Sequence, residues 1–132
     1  MNIVYRFRIY PNKSQRELFA KTFGCVRFVY NRMLAEKKAY YEKTGKNLSV
    51  TPARYKSEFP WLKEVDSLAL CNAQLHLQTA YKNFFRDASV GFPKFKSKKK
   101  PVRSYTTNCV NGNIVLQNGR LKLPKAGWVR IR

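Results

Sequence analysis

No run of 18 apolar residues occurs in the 132-residue sequence, so no segment reads as a membrane-spanning helix. The opening MNIVYRFRIYP places arginines where a signal peptide needs an apolar core, and no cleavage-site pattern follows. The expectation is a soluble, cytoplasmic protein. Cysteine is scarce: Cys25, Cys71 and Cys109 are odd in number, widely spaced and never paired as C-x-x-C, which supports neither a disulfide framework nor a zinc ribbon. They read as buried or idle thiols. His76 is the single histidine and lies within a helical pattern, where a surface or core role outweighs metal ligation. Carboxylates are the most telling shortage. All seven lie between Glu17 and Asp87, and residues 88–132 have none.

Against those seven acids stand 27 Lys and Arg, a formal net charge of +20. Self-repulsion on that scale opposes a compact state unless a polyanion or salt offsets it. The eleven Lys and Arg of residues 88–132, with no acid among them, concentrate the effect in the second half. Nucleic acid is the leading partner and anionic membrane the rival. Apolar residues at 44% and aromatics at 14% are enough for a folded core. The length suits one domain, or two small lobes sharing a core.

Asn2 to Tyr10 alternates, with Ile3, Tyr5, Phe7 and Ile9 on one side and Val4, Arg6, Arg8 and Tyr10 on the other, the period of a β-strand ended by Pro11. Ser14-Gln-Arg-Glu17 reads as a capping box that starts a helix. Apolar positions then follow helical spacing to Leu34, Gly24 interrupts or bends the run, and Gly45 suits a C-terminal cap. Two helices, or one bent helix, both fit. Thr51-Pro52 starts a short helix toward Phe59, and Asp66 or Ser67 caps a long central one. The central helix carries Leu68, Cys71, Leu75, Gln78 and Thr79 along one line of its apolar face, beside Ala69, Asn72, Leu77, Ala80, Tyr81, Phe84 and Phe85.

After Asp87 the composition changes to a Gly-Phe-Pro turn and a Phe–Lys strip, residues 91–101. Either this is a solvated loop, or Phe92 and Phe95 anchor it while Lys94 and Lys96 project to phosphates. Aromatic residues in such strips also stack bases in single-strand binders. Short strand-like units follow at Arg103 to Thr107, Ile114 to Gln117, Arg120 to Leu123 and Trp128 to Ile131, with Asn-Gly turn signals at 111–112 and 118–119. Leu121 and Leu123 alternate with Arg120 and Lys122, while Trp128, Arg130 and Arg132 oppose Val129 and Ile131. The fold class expected is α+β: an antiparallel sheet with a basic face, closed by the N-terminal strand into a small barrel, with a helical lobe inserted.

The phrases YRFRIYPN (5–12), FGCVRFVYN (23–31), WLKEVDSLALCNA (61–73), AYKNFFR (80–86), GFPKFKSKK (91–99) and GRLKLPKAGWVRI (119–131) carry a family resemblance through their order and spacing. The chain resembles the N-terminal region of TnpB (OrfB), the transposon-encoded RNA-guided DNA nucleases related to type V CRISPR effectors. The resemblance implies a wedge β-barrel from residues 1–11 and 102–132, and a helical recognition lobe over 12–101 with a basic linker at 91–101. Guide RNA and target DNA are the implied partners, with membrane excluded and association with the nucleoid expected. Shape and backbone reading by basic side chains is the implied mode, with sequence delegated to base pairing.

Candidate backbone contacts are Arg6, Arg8, Lys82, Arg86, Lys94, Lys96, Lys98, Lys99, Lys100, Arg103, Arg120 and Lys122. The resemblance also maps reading of a target-adjacent DNA motif to Ser67, Leu68, Cys71, Val110 and Asn111. Several of these are apolar, suited to thymine methyl contacts, and helical spacing equally assigns Leu68 and Cys71 to the packed core. Family members continue into a nuclease domain with metal-binding carboxylates, and the seven acids do not lie where a metal pair is needed. No cofactor is therefore expected in this chain, divalent metal belonging to the nuclease domain, and no cleavage by the chain alone. The alternatives are a stand-alone helix-turn-helix DNA-binding protein and a catalytically inactive remnant or regulator.

Overall fold

Asn12, directly after Pro11, sets the start of the longest element. Its Oδ1 accepts the amide of Gln15 at 2.9 Å, and Gln15 Oε1 accepts the amide of Asn12 at 3.0 Å. This reciprocal capping box lies two residues upstream of the Ser14 box expected from the sequence. Ser14 instead donates its hydroxyl to Asn12 Oδ1. The computed structural model describes residues 3–99 and 102–132. Helix α1, Lys13–Thr44, runs unbroken through Gly24 and stops at Gly45, whose left-handed φ of 71° lets its N–H return to the Tyr41 carbonyl. Of the two readings left open for this region, the single helix is the one adopted. At 1.5 Å per residue its 32 residues span about 48 Å.

That length lets one helix serve two cores. Near its start, buried Phe19 and half-buried Phe23 meet Leu121, Leu123, Val129, Ile9 and Tyr105. Further along, Cys25, Val29, Tyr30, Met33 and Leu34 pack with Val50, Tyr55, Leu62, Val65, Leu70, Ala73 and Leu77. The second core joins α1 to helix α2 (Ala53–Glu58), a 3-10 turn at Pro60–Glu64, and helix α3 (Ser67–Arg86). Thr51 leaves α2 without a side-chain cap. The Tyr55 hydroxyl instead fixes α2 by donating to Glu36 Oε2 at 2.6 Å. Lys37 crosses beneath the following loop: its buried ammonium donates to the Leu48 carbonyl at 2.6 Å and lies 5.7 Å from the Tyr81 ring centroid. Burial pushes its pKa down.

On α3 the buried line is Ala69, Leu70, Asn72, Ala73 and Leu77. The parallel line of Cys71, Leu75, Gln78 and Thr79, expected to pack, faces solvent, and Leu68 at its head is half-buried. The apolar arc of this helix is wider than the surface available to cover it. Packing against α1 selects the side holding the small residues Ala69 and Ala73.

The strands form one antiparallel sheet in the order β1 (Ile9–Tyr10), β4 (Gly127–Ile131), β3 (Arg120–Leu123), β2 (Val115–Gln117). The fold is α+β, with all three helices falling between the first and second strands in sequence. Asn118 and Gly119, with φ of 50° and 70°, make the two-residue turn between β2 and β3. Three expectations are corrected. The sheet does not close into a barrel, since β1 and β2 are its two open edges. Of the strand expected over residues 2–10, Ile9–Tyr10 pair with β4, with one further bond from the Arg132 amide to the Arg8 carbonyl, residues 3–8 are irregular, and Asn2 lies outside the described residues. Arg103 to Thr107 forms no strand. Tyr105 enters the sheet core and Thr107 binds Asp66, so this segment docks onto the helices instead of lengthening the sheet.

Because Phe19 is the buried α1 ring in the sheet core, Phe19→Ala should cost about 3–5 kcal/mol. Urea denaturation should show this loss with the helical signal retained longer than the sheet signal. Burial, followed by the Asp66 charge, pushes Tyr105 up to about 12. The neutral phenol is the form favoured on folding, so this contribution is whole below the ordinary tyrosine value of about 10 and is lost as pH rises through about 12. Stability measured across that window should decline less steeply in Tyr105→Phe.

Candidate nucleic-acid interface

Four of the seven acids, Glu36, Glu58, Asp66 and Asp87, are engaged within the chain. Glu36 and Glu58 face Arg32 and Arg54 at 3.4–3.8 Å. Asp66 caps α3 through the Leu68 amide, and Asp87 accepts from the Ser89 amide and hydroxyl. The cations of residues 88–132 have no such neighbours in sequence. The candidate residues fall on three surfaces, the second and third of which hold the described cations among them.

The first surface joins the start of α3 to the loop ahead of β2. Asp66 is 4% exposed, and its two oxygens divide the work: Oδ1 accepts the Leu68 amide at 3.0 Å and Oδ2 accepts the Thr107 hydroxyl. One turn further on, buried Asn72 donates to Asn108 Oδ1 at 2.7 Å and to the Leu68 carbonyl at 2.9 Å. Beyond Asn108 the chain reverses at Val110–Asn113, with Asn111 and Gly112 both left-handed at φ of 54° and 73°. Asn113 closes this turn: its Oδ1 accepts the Val110 amide at 2.7 Å and its Nδ2 donates to the Asn108 carbonyl at 3.1 Å. Ser67, Leu68 and Cys71 are thereby brought to the same region as Val110 and Asn111. All but Leu68 are exposed. Sequence reasoning named Asp66 as a possible cap and Asn72 as part of the apolar face, but missed their bonds to Thr107 and Asn108 and the closing role of Asn113. The run of amide and hydroxyl side chains at 106–113 was the available signal.

The second surface is the Phe–Lys strip. Phe92 packs edge-on against Tyr81 and Phe84, each at 5.4 Å between ring centroids, and Pro93 is buried. Asn31 on α1 then grips the Lys96 backbone at both ends, accepting its amide at 2.8 Å and donating to its carbonyl at 2.9 Å. The Lys96 ammonium lies 4.6 Å from the Tyr30 centroid, a cation–π contact. Of the expected pattern, Phe92 anchors the strip, whereas Phe95 is 53% exposed. Lys94, Lys98 and Lys99 are exposed, and Lys82 and Arg86 are exposed on the last turns of α3. Lys100 lies outside the described residues.

The third surface is the outer face of the sheet. The register places Arg120 opposite Arg130, Lys122 opposite Trp128 and Tyr10 opposite Arg130. All five are exposed, while Leu121, Leu123 and Val129 point into the core. Only Arg120 and Lys122 of this group were candidates from the sequence. Arg6 and Arg8 are exposed in the irregular approach to β1, and Arg103 is exposed between the strip and Tyr105. Among the described residues, no three of the His, Cys, Asp and Glu side chains converge on a point suited to a metal ion, and no helix is long and apolar enough to cross a membrane.

Comparison with known proteins gives the class first. Residues 1–46 match the family model of a helix-turn-helix domain of the OrfB/IS605 type. Yet among the described residues of that span lie one short strand and one continuous helix, without the turn between two helices that the motif's name describes. A Streptomyces pristinaespiralis protein provisionally named as an RNA-guided DNA endonuclease is 35% identical over 92% of this chain and 31% of its own length. The similarly named InsQ of Escherichia coli (strain K12) is 30% identical over 97% of this chain and 33% of its own length. The Salmonella dublin virulence protein VsdF is 36% identical over 68% of this chain and 88% of its own. The chain belongs to the TnpB/OrfB family. It spans about a third of the length of the two endonuclease-named relatives.

Removing the Asp66 carboxylate takes away both the α3 cap and the Thr107 partner. Asp66→Ala should therefore cost about 1–3 kcal/mol. Hydrogen exchange at residues 107–113 should accelerate more than exchange in the α1 interior; equal acceleration throughout would show that the carboxylate does not hold this loop in particular.

Proposed function

We propose that this chain is the nucleic-acid-binding part of a TnpB-like RNA-guided DNA endonuclease. In this reading residues 1–11 and 102–132 act as the wedge, although their sheet is open, and residues 12–101 act as the recognition lobe. Together they hold the guide RNA scaffold and the guide–target duplex. In this reading cleavage, with the divalent metal it needs, belongs to a separate nuclease domain. The observation that carries the proposal is similarity over more than nine-tenths of the chain to two relatives named for RNA-guided DNA cleavage. The bonds that tie Asp66 and Asn72 to Thr107 and Asn108, next to Ser67, Leu68 and Cys71 on one side and Val110 and Asn111 on the other, support a target-adjacent DNA-motif surface at the start of α3.

The chemistry suits backbone reading. Arg6, Arg8, Lys82, Arg86, Lys94, Lys98, Lys99, Lys100, Arg103, Arg120 and Lys122 provide charge for phosphates. Exposed Cys71 and Val110 can meet a thymine methyl, while Ser67 and Asn111 bring hydrogen-bonding groups to base edges. Lys96 is a weaker phosphate candidate because its ammonium is already engaged with Tyr30. A second reading is a stand-alone nucleic-acid-binding protein or non-cutting regulator, favoured by VsdF, most of whose length this chain covers. A recognition helix between residues 13 and 44 is not part of it, since that span is one helix with much of its surface packed.

Affinity for structured RNA and for duplex DNA, measured at several salt concentrations, tests the proposal. RNA should bind more tightly. Changing Lys94, Lys96 and Lys98 to Gln should lower the slope of log affinity against log salt by about 2, with Lys96→Gln alone contributing least. Weak binding without RNA preference would sink the proposal, and site-specific protection of duplex DNA without RNA would favour the stand-alone reading.

A further inference from the structure

The outer face of the sheet has a composition that protein packing does not explain. Its two central rows are Val115–Lys122–Trp128 and Gln117–Arg120–Arg130–Tyr10, read across the strands from the register. Three cations and two large rings occupy seven positions, and no carboxylate is among them. Arg120 and Arg130 are direct cross-strand neighbours, an arrangement in which like charges oppose pairing. Trp128 is 41% exposed and Tyr10 40%, so neither ring is needed to fill the core beneath. Beside them Tyr10, Arg130, Ile131 and Arg132 line a concavity of about 310 Å³. The Arg130 guanidinium lies 6.0 Å from the Tyr10 centroid, steadying the ring at the edge of this hollow.

We infer that this face is a site for unpaired nucleotides, with Trp128 and Tyr10 each stacking one base while Arg120, Lys122 and Arg130 hold the intervening phosphates. The inference rests on the reading of the chain as nucleic-acid-binding and specifies the state of the strand that meets the sheet. Tyr10 is paired with Arg130, two residues from Trp128, so the two aromatic positions are diagonal neighbours about 7–8 Å apart. That is roughly twice the 3.4 Å rise per nucleotide of a duplex strand. A strand that sets adjacent bases on the two rings must therefore be extended, with those bases parted from one another, and a duplex cannot do so without opening. Every base offers a π-face, so the site is tolerant of sequence. The opposed arginines then gain a partner: a phosphate between them converts mutual repulsion into shared attraction. A protein segment laid on the same face would have to bring acids to three cations and still cover two rings, a narrower match than a strand that carries both features at every step.

Trp128 allows direct observation. In the full chain with Trp61→Phe, Trp128 is the only tryptophan, and its emission is followed on titration with an oligouridine, an oligodeoxyuridine of equal length, and a duplex. Both single strands should quench Trp128, and the duplex should leave it nearly unchanged. Trp128→Ala should weaken single-strand binding by about tenfold, the loss expected for one base–aromatic stack. Trp128→Phe should recover most of this, and circular dichroism should show both variants folded. Any difference between the two strands identifies whether the 2′-hydroxyl is read, and equal affinities assign the face to unpaired strands of either sugar. Trp128 emission unmoved by unpaired strands, or Trp128→Ala weakening single strands and duplex alike, overturns the inference. If the Lys94, Lys96 and Lys98 substitutions weaken binding while the Trp128 variants do not, the sheet-face inference fails and the nucleic-acid reading stands. If the unmodified chain binds none of the three at low salt, both fall.

Discussion

One helix packing into two separate cores is the constraint on which the rest depends. Phe19 and Phe23 on α1 fill the sheet core, and Cys25 to Leu34 on the same helix fill the helical one. A four-stranded sheet whose shortest strand has two residues is marginal alone. It persists because α1 covers its inner face, with Gln15 adding a bond to the Trp128 carbonyl at 2.6 Å. The other face is thereby left to solvent. Arg120, Lys122, Trp128, Arg130 and Tyr10 lie on that uncovered side.

A second constraint follows from the scarcity of acids. Glu36, Glu58 and Asp66 join one segment of the chain to another through Arg32, Arg54 and Thr107. Each surface ion pair contributes little, about 0–1 kcal/mol, and among the described residues these pairs include no cation of residues 88–132. Self-repulsion among cations on the sheet and strip would be relieved by a bound polyanion.

The identity and order of the helices were legible because their signals are local. Gly45 terminated α1 as expected, Asp66 capped α3, and Asn118-Gly119 made the hairpin turn. Errors arose where two local signals competed or where the outcome was non-local. Asn12 displaced Ser14 as the cap, which shifts a boundary without changing the element. Leu75 and Cys71 fit the helical period as well as Leu70 and Ala73 do, yet only the latter pair meets α1. The alternation at residues 2–10 was real but lacked a partner strand over most of its length, so alternation alone did not make a strand. Of the candidate site, the exposed basic residues were legible individually. The contacts that gather Ser67 and Cys71 beside Val110 and Asn111 were not, since Asn72 and Asn108 are 36 residues apart.

By itself the sequence determined the family, the basic imbalance and the kinds of local structure, because those depend on composition, motif order and hydrogen bonds within a few residues. Tertiary structure alone decided which face of α3 is buried, that the sheet stays open, and that Trp128, Tyr10, Arg120, Lys122 and Arg130 share one surface. Each of these is settled by pairing between segments distant in the chain. A period of two or 3.6 residues states that a face exists; only the partner segment determines which way it turns.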